Sequence, residues 1–493
     1  MAPENNTAMH KDDLTTTKFR VIIVGAGIAG LAASHCLQKA GIDHVVLERR
    51  TEIDPPEGAS FAVYPHGARI LHQIGCLDAA KAACKPCLRY YSRGPDGIMQ
   101  SDNGYFDNMK RIHGQDILLL ERRRLLRILY NCLPDKTPIR TGTEVKSVTQ
   151  NSDMVEVVLG DGTVEKGDMV LGCDGVYSQV RNAMWTHANA IAPEAVVDEE
   201  KKRIQTGWKC LVGTGPPEPG LGERDMTSTS DEGFSFLTLT QPDRAFWFVF
   251  CKLDTPVAWP QRVAYSEADA DALAEQLSDH PVSESVSFGR LWRRRHRGVL
   301  IPIQEGVLRR WYSGRVVLAG DAAHKMTPNI GLGGNTGLES VAVLCNHLVR
   351  TLQGTMALPP LSQQKPSQAA LERCFQAYQD GHRARVERIV QLSRLITRVQ
   401  AWDSHLNRWV AVWIMPRLPD GLLAQVVSRL VRGAPKLDYV TTEGFPRGTV
   451  EWLDAKSGWS EELIRIFLIS GLGLCIAAVS MCCYGFALPQ RII

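Results

Sequence analysis

A glycine-rich turn directly after a short apolar strand is the feature that most restricts the fold of this chain. Residues 19–24 form a β-branched run typical of a buried parallel strand, and Gly25-Ala26-Gly27-Ile28-Ala29-Gly30 follows at once. The next residues, rich in Ala and Leu, predict a helix, and a second predicted strand ends at Glu48. Strand, glycines, helix, strand and acid in this order predict a dinucleotide-binding unit.

Each position of this unit has a physical reason. Gly25 allows the tight turn from strand to helix, Gly27 lets the backbone approach a pyrophosphate, and Gly30 lets the helix pack closely on the strand. The phosphates are expected at the positive end of the helix dipole. The Glu48 carboxylate is placed to accept hydrogen bonds from an adenosine ribose. The unit alone does not separate FAD from NAD.

Two later motifs favour FAD. Gly172-Cys173-Asp174-Gly175 ends a predicted strand and continues to Ser178 and Arg181, and this pattern resembles the DG fingerprint of single-component flavoprotein monooxygenases. Residues 315–324, with Asp321 at the end of a strand, resemble their GD fingerprint. The glycine-rich segment 331–335 then precedes a predicted helix, whose dipole would stabilise negative charge on a reduced flavin.

From about residue 19 to at least residue 385, the chain resembles the fungal FAD-dependent monooxygenases of meroterpenoid and indole-diterpene pathways, a branch of the aromatic-hydroxylase-like flavoproteins. It departs from the family pattern at Ala62, where glycine is usual, and at Leu332 in the second glycine-rich loop. The residues expected to bind FAD, from the first motif and from the resemblance together, are Gly25, Gly27, Gly30, Glu48, Gly58, Ala62, Arg122, Asp174, Asp321, Gly333, Gly334 and Asn335.

The middle of the chain is predicted to supply the substrate side. Three strand-length apolar segments, 208–213, 234–240 and 246–252, predict an antiparallel sheet inserted between the DG and GD motifs. Lys209 lies where related enzymes place a polar residue facing the substrate, which makes it a candidate catalytic residue. Six aromatic residues are expected either to wall an apolar cavity or to form the core of the sheet: Trp208, Phe234, Phe236, Phe246, Trp247 and Phe248.

The resemblance also implies a mechanism. NADPH would reduce FAD, and O₂ would then give a flavin C4a-hydroperoxide whose electrophilic oxygen attacks an electron-rich π bond. Oxygen transfer to an alkene needs no enzyme base, whereas a base is useful for a phenol. The substrate segment contains no persuasive Ser/His/Asp or paired-carboxylate set, and this favours epoxidation.

The last part of the chain predicts a membrane anchor. Residues 466–488 form 23 uncharged residues, equivalent to about 34 Å of helix, which is enough to cross a hydrocarbon core. No apolar segment follows the polar N-terminus, so a secretory signal is not predicted. We therefore expect a cytosolic catalytic domain held on a membrane such as the endoplasmic reticulum. The alternative is that the residues from 401 onward form a helical cap partly embedded in one leaflet.

Composition excludes other classes of protein. A net charge of +3 is too small for a dedicated nucleic-acid binder. The 13 cysteines are scattered without repeating spacing, which favours a reducing compartment over a disulfide scaffold. Cys84 and Cys87 form a CxxC motif that lacks a second pair at zinc spacing, so no metal site is predicted.

The predicted fold class is a mixed α/β protein: a Rossmann-like FAD-binding domain with an inserted antiparallel sheet and a C-terminal helical and transmembrane segment. The predicted parts are a disordered tail (1–18), the FAD domain in two segments (19–185 and 301–400), the substrate region (186–300) and a membrane-associated region (401–493).

Three functional hypotheses follow. The first is an FAD- and NADPH-dependent epoxidase that acts on the prenyl chain of a lipophilic aromatic intermediate, ahead of a membrane terpene cyclase. The second is an aromatic hydroxylase of salicylate-hydroxylase type. The third is a flavin-binding membrane protein without oxygenase activity, which the intact flavin fingerprints disfavour.

Overall fold

A computed structural model describes residues 18–55, 60–356, 365–419 and 421–453. The predicted transmembrane helix, 466–488, and the predicted tail apart from residue 18 lie outside these ranges. Within them, no single helix is long and apolar enough to cross a membrane. The segments His405–Arg417 and Leu422–Arg432 meet the length and composition criteria only as a pair, bent by 101°.

The strands of the described residues form four sheets. In chain order they are β1 (Arg20–Val24), β2 (Asp43–Leu47), β3 (Ser60–Val63), β4 (Tyr90–Arg93), β5 (Met99–Asn103), β6 (Leu118–Glu121), β7 (Ile139–Arg140), β8 (Val145–Gln150), β9 (Val155–Leu159), β10 (Val164–Gly167), β11 (Met169–Gly172), β12 (Gln205–Gly215), β13 (Met226–Ser230), β14 (Phe234–Gln241), β15 (Arg244–Ala258), β16 (Arg297–Val307), β17 (Tyr312–Ser313), β18 (Val316–Leu318) and β19 (His324–Lys325).

The α-helices of the described residues range from a single turn to 33 residues. In chain order they are α1 (Ile28–Ala40), α2 (Pro65–Gln73), α3 (Leu77–Ala82), α4 (Tyr105–His113), α5 (Arg122–Asn131), α6 (Gln179–Ile191), α7 (Asp198–Lys201), α8 (Glu267–Gln276), α9 (Phe288–Arg293), α10 (Gly333–Met356), α11 (Gln368–Gln400), α12 (His405–Trp409) and α13 (Leu422–Arg432).

The largely parallel sheet brings the three sequence motifs to one edge. Its strand order is β17-β18-β11-β1-β2-β7, and only β17 runs antiparallel to its neighbour. Val24 at the end of β1 lies beside Gly172 at the end of β11, which in turn lies beside Leu318 at the end of β18. The turns that follow these strands therefore meet at the carboxyl edge, where ligands of such sheets bind.

The second large sheet has eight strands in the order β19-β16-β12-β15-β14-β13-β4-β5. Neighbouring strands from β16 to β13 pair antiparallel, as the sequence predicts for this region. β4 and β5 also join it, although they precede the predicted substrate region, and β4 pairs in parallel with β13. The predicted mixed α/β fold, with a parallel and an antiparallel sheet, is confirmed.

Both faces of the eight-stranded sheet are buried. One face, with Cys210 and Phe250, belongs to the main hydrophobic core shared with the parallel sheet. The opposite face packs with α8 and α9 in a separate core that includes Leu211, Trp247 and Phe288. Alternate residues of one strand therefore belong to different cores, since successive side chains of a strand point to opposite faces.

A buried ion pair joins α10 to α11. Glu339 has no exposed surface, and the Arg385 Nε and Nη2 atoms donate to its two carboxylate oxygens at 2.7 and 2.8 Å. His66 Nε2 lies 3.4 Å from Glu339 Oε1. Burial opposes ionisation of Glu339, but the Arg385 guanidinium lowers the pKa of Glu339 to about 2. Burial lowers the pKa of His66 to about 4, so its imidazole is neutral at pH 7.

Residues 405–419 and 421–432, here called the C-terminal cap, follow α11. The chain runs through α12, a turn of π-helix (Val410–Ile414) and α13. Ala424, Val427 and Val431 on α13 are buried in the main core. The cap therefore packs onto the body of the protein through an apolar side.

Candidate active site

One large cavity extends from the carboxyl edge of the parallel sheet to the C-terminal cap. Three groups of residues line it: the predicted cofactor motifs, one face of the eight-stranded sheet, and the end of α11 with the cap. The residues in or directly beside the predicted motifs are Gly27, Ala62, Arg122, Cys173, Gly175, Gly320, Asp321, Lys325, Gly333 and Gly334. The sheet contributes Tyr90, Ser92, Met226, Ser228, Ser230, Leu237, Leu239 and Phe248, and the C-terminal part contributes Leu392, Ile396, Val399, Gln400, Ala411, Met415, Leu423, Val426 and Val427.

The three glycines of the first motif have different surroundings. Gly25 has a φ of +99°, a conformation that side chains disfavour, and a Cβ atom there would lie 2.7 Å from the Cys173 carbonyl oxygen. A Cβ atom at Gly30 would lie only 1.9 Å from the Gly25 carbonyl oxygen. At Gly27 a Cβ atom would meet nothing within 4 Å and would project into open space at the cavity. Gly25 and Gly30 are therefore required by the fold, whereas Gly27 leaves room for a ligand.

This open space fits the pyrophosphate of FAD. Gly27 is the N-cap residue of α1, so the first backbone N–H groups of the helix point toward it without partners inside the helix. The helix dipole adds partial positive charge at the same place. Gly27 and the α1 N-terminus have the geometry of a phosphate site.

Glu48 is held rigidly at the end of β2. Its carboxylate accepts hydrogen bonds from the backbone N–H of Ala26 at 2.8 Å and from that of Arg50 at 3.0 Å. Each carboxylate oxygen keeps a further lone pair for a ribose hydroxyl. These bonds also tie the end of β2 to the glycine-rich turn.

Asp321 lies in a short turn of 3₁₀-helix after β18, next to two cations. Burial opposes its ionisation, but the Lys325 ammonium, which pairs with its carboxylate, lowers the pKa of Asp321 below its usual value. Arg122, at the start of α5, lines the same cavity and contributes to that shift. The carboxylate is thus available at neutral pH to accept a hydrogen bond from a ribityl hydroxyl. The sequence did not single out Lys325.

The second glycine-rich loop is fixed by Asn335, whose side chain is fully buried. Its amide nitrogen donates to the Ala62 and Gly331 carbonyl oxygens at 2.8 and 2.9 Å, and its oxygen accepts from the Tyr64 N–H at 3.1 Å. The side chain therefore joins β3 to the loop. A direct contact of the Asn335 amide with FAD has no support, because the amide already forms hydrogen bonds with the backbone of the protein.

Gly333 and Gly334 form the first turn of α10 at the cavity. A Cβ atom at Gly334 would lie 2.0 Å from the Phe61 ring, so a larger residue would force that ring on β3 to move. The first backbone N–H groups of a helix lack intrahelical partners, and because Gly333 and Gly334 line the cavity, those of this turn can contact a flavin ring bound there.

Asp174 has a structural role. Its carboxylate accepts from the Ser178 hydroxyl at 2.6 Å and from the backbone N–H of Gln179 and Val180 at 2.7 and 3.1 Å. It caps the N-terminus of α6, while its neighbours Cys173 and Gly175 line the cavity. Gly58, the remaining predicted cofactor residue, lies outside the described residues.

Lys209 is on the wrong face of the sheet for catalysis. It pairs across β12 and β15 with Cys251, which belongs to the core under α8 and α9. Its neighbours Trp208 and Cys210 point to the opposite side, toward the main core. Lys209 is absent from the cavity lining, so a catalytic role is not supported.

Only Phe248 of the six predicted aromatic wall residues lines the cavity. Trp208 and Phe246 are in the main core, and Phe236 and Trp247 are in the core under α8 and α9, with Phe234 packed against that core. Trp247 is on the far face for a visible reason. A Cβ atom at Gly213 would lie 2.4 Å from its indole ring, so the glycine provides the space that the ring occupies.

Comparison with known proteins gives consistent matches. Residues 18–361 match the family model for an FAD binding domain. The chain is 40% identical to FAD-dependent monooxygenase DEP2 of Alternaria brassicicola, over 88% of this chain and 82% of that protein. It is 33% identical to FAD-dependent monooxygenase atmM of Aspergillus flavus, over 97% and 96% of the two chains.

Solved structures show the same fold at lower identity. Klebsiella pneumoniae HpxO complexed with FAD and uric acid superposes with a TM-score of 0.66 at 21% identity, covering 84% of this chain and 96% of that one. The tetracycline destructase Tet(51) gives a TM-score of 0.59 at 17% identity, covering 84% and 99%.

Proposed function

The chain belongs to the fungal FAD-dependent monooxygenases, and we propose that it epoxidises an alkene in the prenyl chain of a lipophilic aromatic intermediate, with NADPH as the reductant. The observation that carries the proposal is the continuous cavity, which joins the FAD site to an apolar chamber. That chamber is walled by the eight-stranded sheet on one side and by α11 and the C-terminal cap on the other.

The cofactor residues follow from the geometry described above. The α1 N-terminus at Gly27 would hold the pyrophosphate, Glu48 the adenosine ribose and Asp321 the ribityl chain, while Gly333 and Gly334 would face the ring. When bound there, reduced FAD together with O₂ supplies an electrophilic oxygen atom.

The chamber walls then position the substrate and exclude water. Leucine, isoleucine, valine and methionine side chains from the sheet, α11 and the cap form most of the wall away from the motifs. They can bury a branched hydrocarbon chain, since removing apolar surface from water is favourable. Holding one double bond near the flavin ring is the main contribution required of the protein.

The titratable groups of the chamber favour an alkene over a phenol. Tyr64, Cys87 and Tyr105 also line the cavity. Burial raises the pKa of Tyr64 to about 12 and the pKa of Cys87 to about 12. Burial also raises the pKa of Tyr105. These groups stay protonated at neutral pH and cannot deprotonate a phenol, whereas epoxidation needs no base.

The proposal is tested with purified enzyme, FAD, NADPH, O₂ and a farnesylated phenol. We expect a product heavier by one oxygen atom that acid opens to a diol. The matched control is the same phenol with a fully saturated side chain, from which we expect no oxygenated product. Oxygen incorporation into the ring of both compounds would contradict epoxidation and support the hydroxylase alternative.

We also propose that the chain is anchored in a membrane by residues 466–488 and works beside a terpene cyclase there. Trp409 and Trp413 on the cap are partly exposed, as is common for residues near lipid headgroups. We expect the full chain to sediment with membranes and a chain ending at residue 453 to lose that association. A full chain that stays in the supernatant would contradict the anchor.

A further inference from the structure

The chamber wall is mostly apolar and includes a strip of polar side chains from two strands and α11. Tyr90 on β4, Ser228 on β13 and Gln400 at the end of α11 all line the cavity, and we name these three residues the donor strip. The Tyr90 hydroxyl lies 3.0 Å from the Ser228 hydroxyl. The Gln400 side-chain oxygen accepts from the Asn329 amide nitrogen at 2.8 Å. The strip thus joins the sheet to the turn that precedes the second glycine-rich loop.

The donor strip carries more hydrogens than these contacts use. Tyr90 and Ser228 each have one hydroxyl hydrogen, and the bond between them uses only one, whichever group donates. The Gln400 side-chain oxygen accepts from Asn329, so the NH₂ group of Gln400 remains. It hydrogen-bonds the Tyr90 side chain and has a second hydrogen left for a ligand in the chamber. Ser228 is buried and Tyr90 and Gln400 are half-buried, so a ligand oxygen that accepts from the strip would be stabilised by a hydrogen bond.

The donor strip has no charge to match an ionic group. Among the described residues that line the cavity, the side chains with a full charge at neutral pH are Arg122, Asp321 and Lys325, all in the cofactor motifs. Burial raises the pKa of Tyr90, which keeps it a neutral donor. A carboxylate bound at the strip would be desolvated without a cation beside it, and this is costly.

We propose that the donor strip binds an uncharged oxygen of the substrate, a carbonyl, hydroxyl or ether, and so fixes how far the prenyl chain reaches toward the flavin. The inference rests on the proposed function for the prenyl chain, whereas the oxygen site follows from the hydrogen bonds alone. The enzyme therefore selects neutral oxygenated terpenoids over hydrocarbons and over carboxylic acids.

The test measures equilibrium binding of three probes to the FAD-loaded full chain. The change in flavin absorbance is the binding signal. The probes are farnesyl methyl ether, which has an acceptor and no donor, the hydrocarbon farnesene, and farnesoic acid at pH 7.5. We expect the ether to bind about two- to twelvefold more tightly than farnesene, the range for one net hydrogen bond. We expect farnesoic acid to bind more weakly than the ether.

The double variant Tyr90→Phe/Ser228→Ala removes both hydroxyls and leaves the Gln400 NH₂ group as the remaining donor of the strip, and we expect it to lose most of the preference for ether over farnesene. The matched control is Thr229→Val, which removes the next hydroxyl along β13. That hydroxyl donates to the Val282 carbonyl oxygen on the other face of the sheet, at 3.2 Å. We expect the control to keep the preference. General loosening of the fold would weaken both probes together and leave their ratio unchanged.

Equal binding of ether and farnesene by the wild type would overturn the inference, as would an unchanged preference in the double variant or tighter binding of farnesoic acid. These outcomes are distinct from failure of the proposed function. A strip-dependent preference in an enzyme that does not epoxidise prenyl chains would support the oxygen site and refute the epoxidase. Epoxidation of prenyl chains without that preference would support the epoxidase and refute the oxygen site.

Discussion

Replacing Gly27 with valine is expected to leave the apoprotein folded and to weaken FAD binding by at least about 100-fold. The backbone conformation at Gly27 is extended, with φ −71° and ψ −172°, so valine can adopt it. A Cβ atom at this position meets no protein atom within 4 Å, and we expect the free energy of unfolding to change by no more than about 0.5 kcal/mol. The side chain does occupy the space assigned to the pyrophosphate. Loss of two hydrogen bonds to a charged group, at about 1.5–3 kcal/mol each, gives the expected effect.

Two measurements check this result. Titration of the apoprotein with FAD, followed by quenching of flavin fluorescence, gives the affinity, and thermal unfolding of the apoprotein gives the stability. Gly30→Ala is the matched comparison, because its Cβ atom would lie 1.9 Å from a backbone oxygen and should disrupt the fold itself. A Gly27→Val protein with a full complement of FAD would show that the phosphates bind elsewhere.

Arg385→Leu should destabilise the protein by about 3–5 kcal/mol, because it leaves the Glu339 carboxylate buried without its partner. Urea unfolding at pH 7 measures the loss. The matched control is the double variant Glu339→Leu/Arg385→Leu, which removes both charges and should recover most of the stability. If the single and double variants were equally unstable, packing rather than the unpaired charge would be the cause.

The same ion pair gives the stability a pH dependence of known sign. The pKa of Glu339 is about 2 in the folded chain, below the usual value for an unfolded glutamate of about 4.3. Its contribution is therefore fully present above about pH 4.3 and is lost as the pH falls toward 2. The double variant lacks this carboxylate, so its stability should fall less steeply over that interval.

Local sequence patterns were sufficient to predict the order of strand, glycine-rich turn and helix on the cofactor side of the molecule. A strand that runs into glycines and a helix is defined by neighbouring residues, and parallel pairing then brings the ends of β1, β11 and β18 together. The roles of Asn335 and Asp174 were less accessible. Each residue lies within a cofactor motif, but its side chain forms hydrogen bonds with the protein's own backbone. Sequence spacing does not show which polar atoms already have a hydrogen-bond partner in the fold.

The substrate side was harder to predict because the eight-stranded sheet is buried on both faces. Successive side chains of a strand alternate between its two faces, so the sequence shows that Lys209 and Trp208 point in opposite directions. Because a hydrophobic core covers each face, hydrophobicity does not show which face lines the cavity. Val426 and Gln400 illustrate a second difficulty. Their positions in the chamber wall depend on packing against residues far away in the chain. The apolar pattern of this region predicts only that one side of each helix is buried, and it does not identify what that side packs against.

The order of the chamber walls along the chain has a consequence for biosynthesis. Every cofactor residue described above precedes residue 335, whereas Leu392 to Val427 complete the chamber. A ribosome therefore releases the residues of the flavin site well before those that close the substrate space. A message truncated beyond α10 would yield a chain that contains every cofactor residue but lacks one wall of the chamber and the Arg385 partner of Glu339.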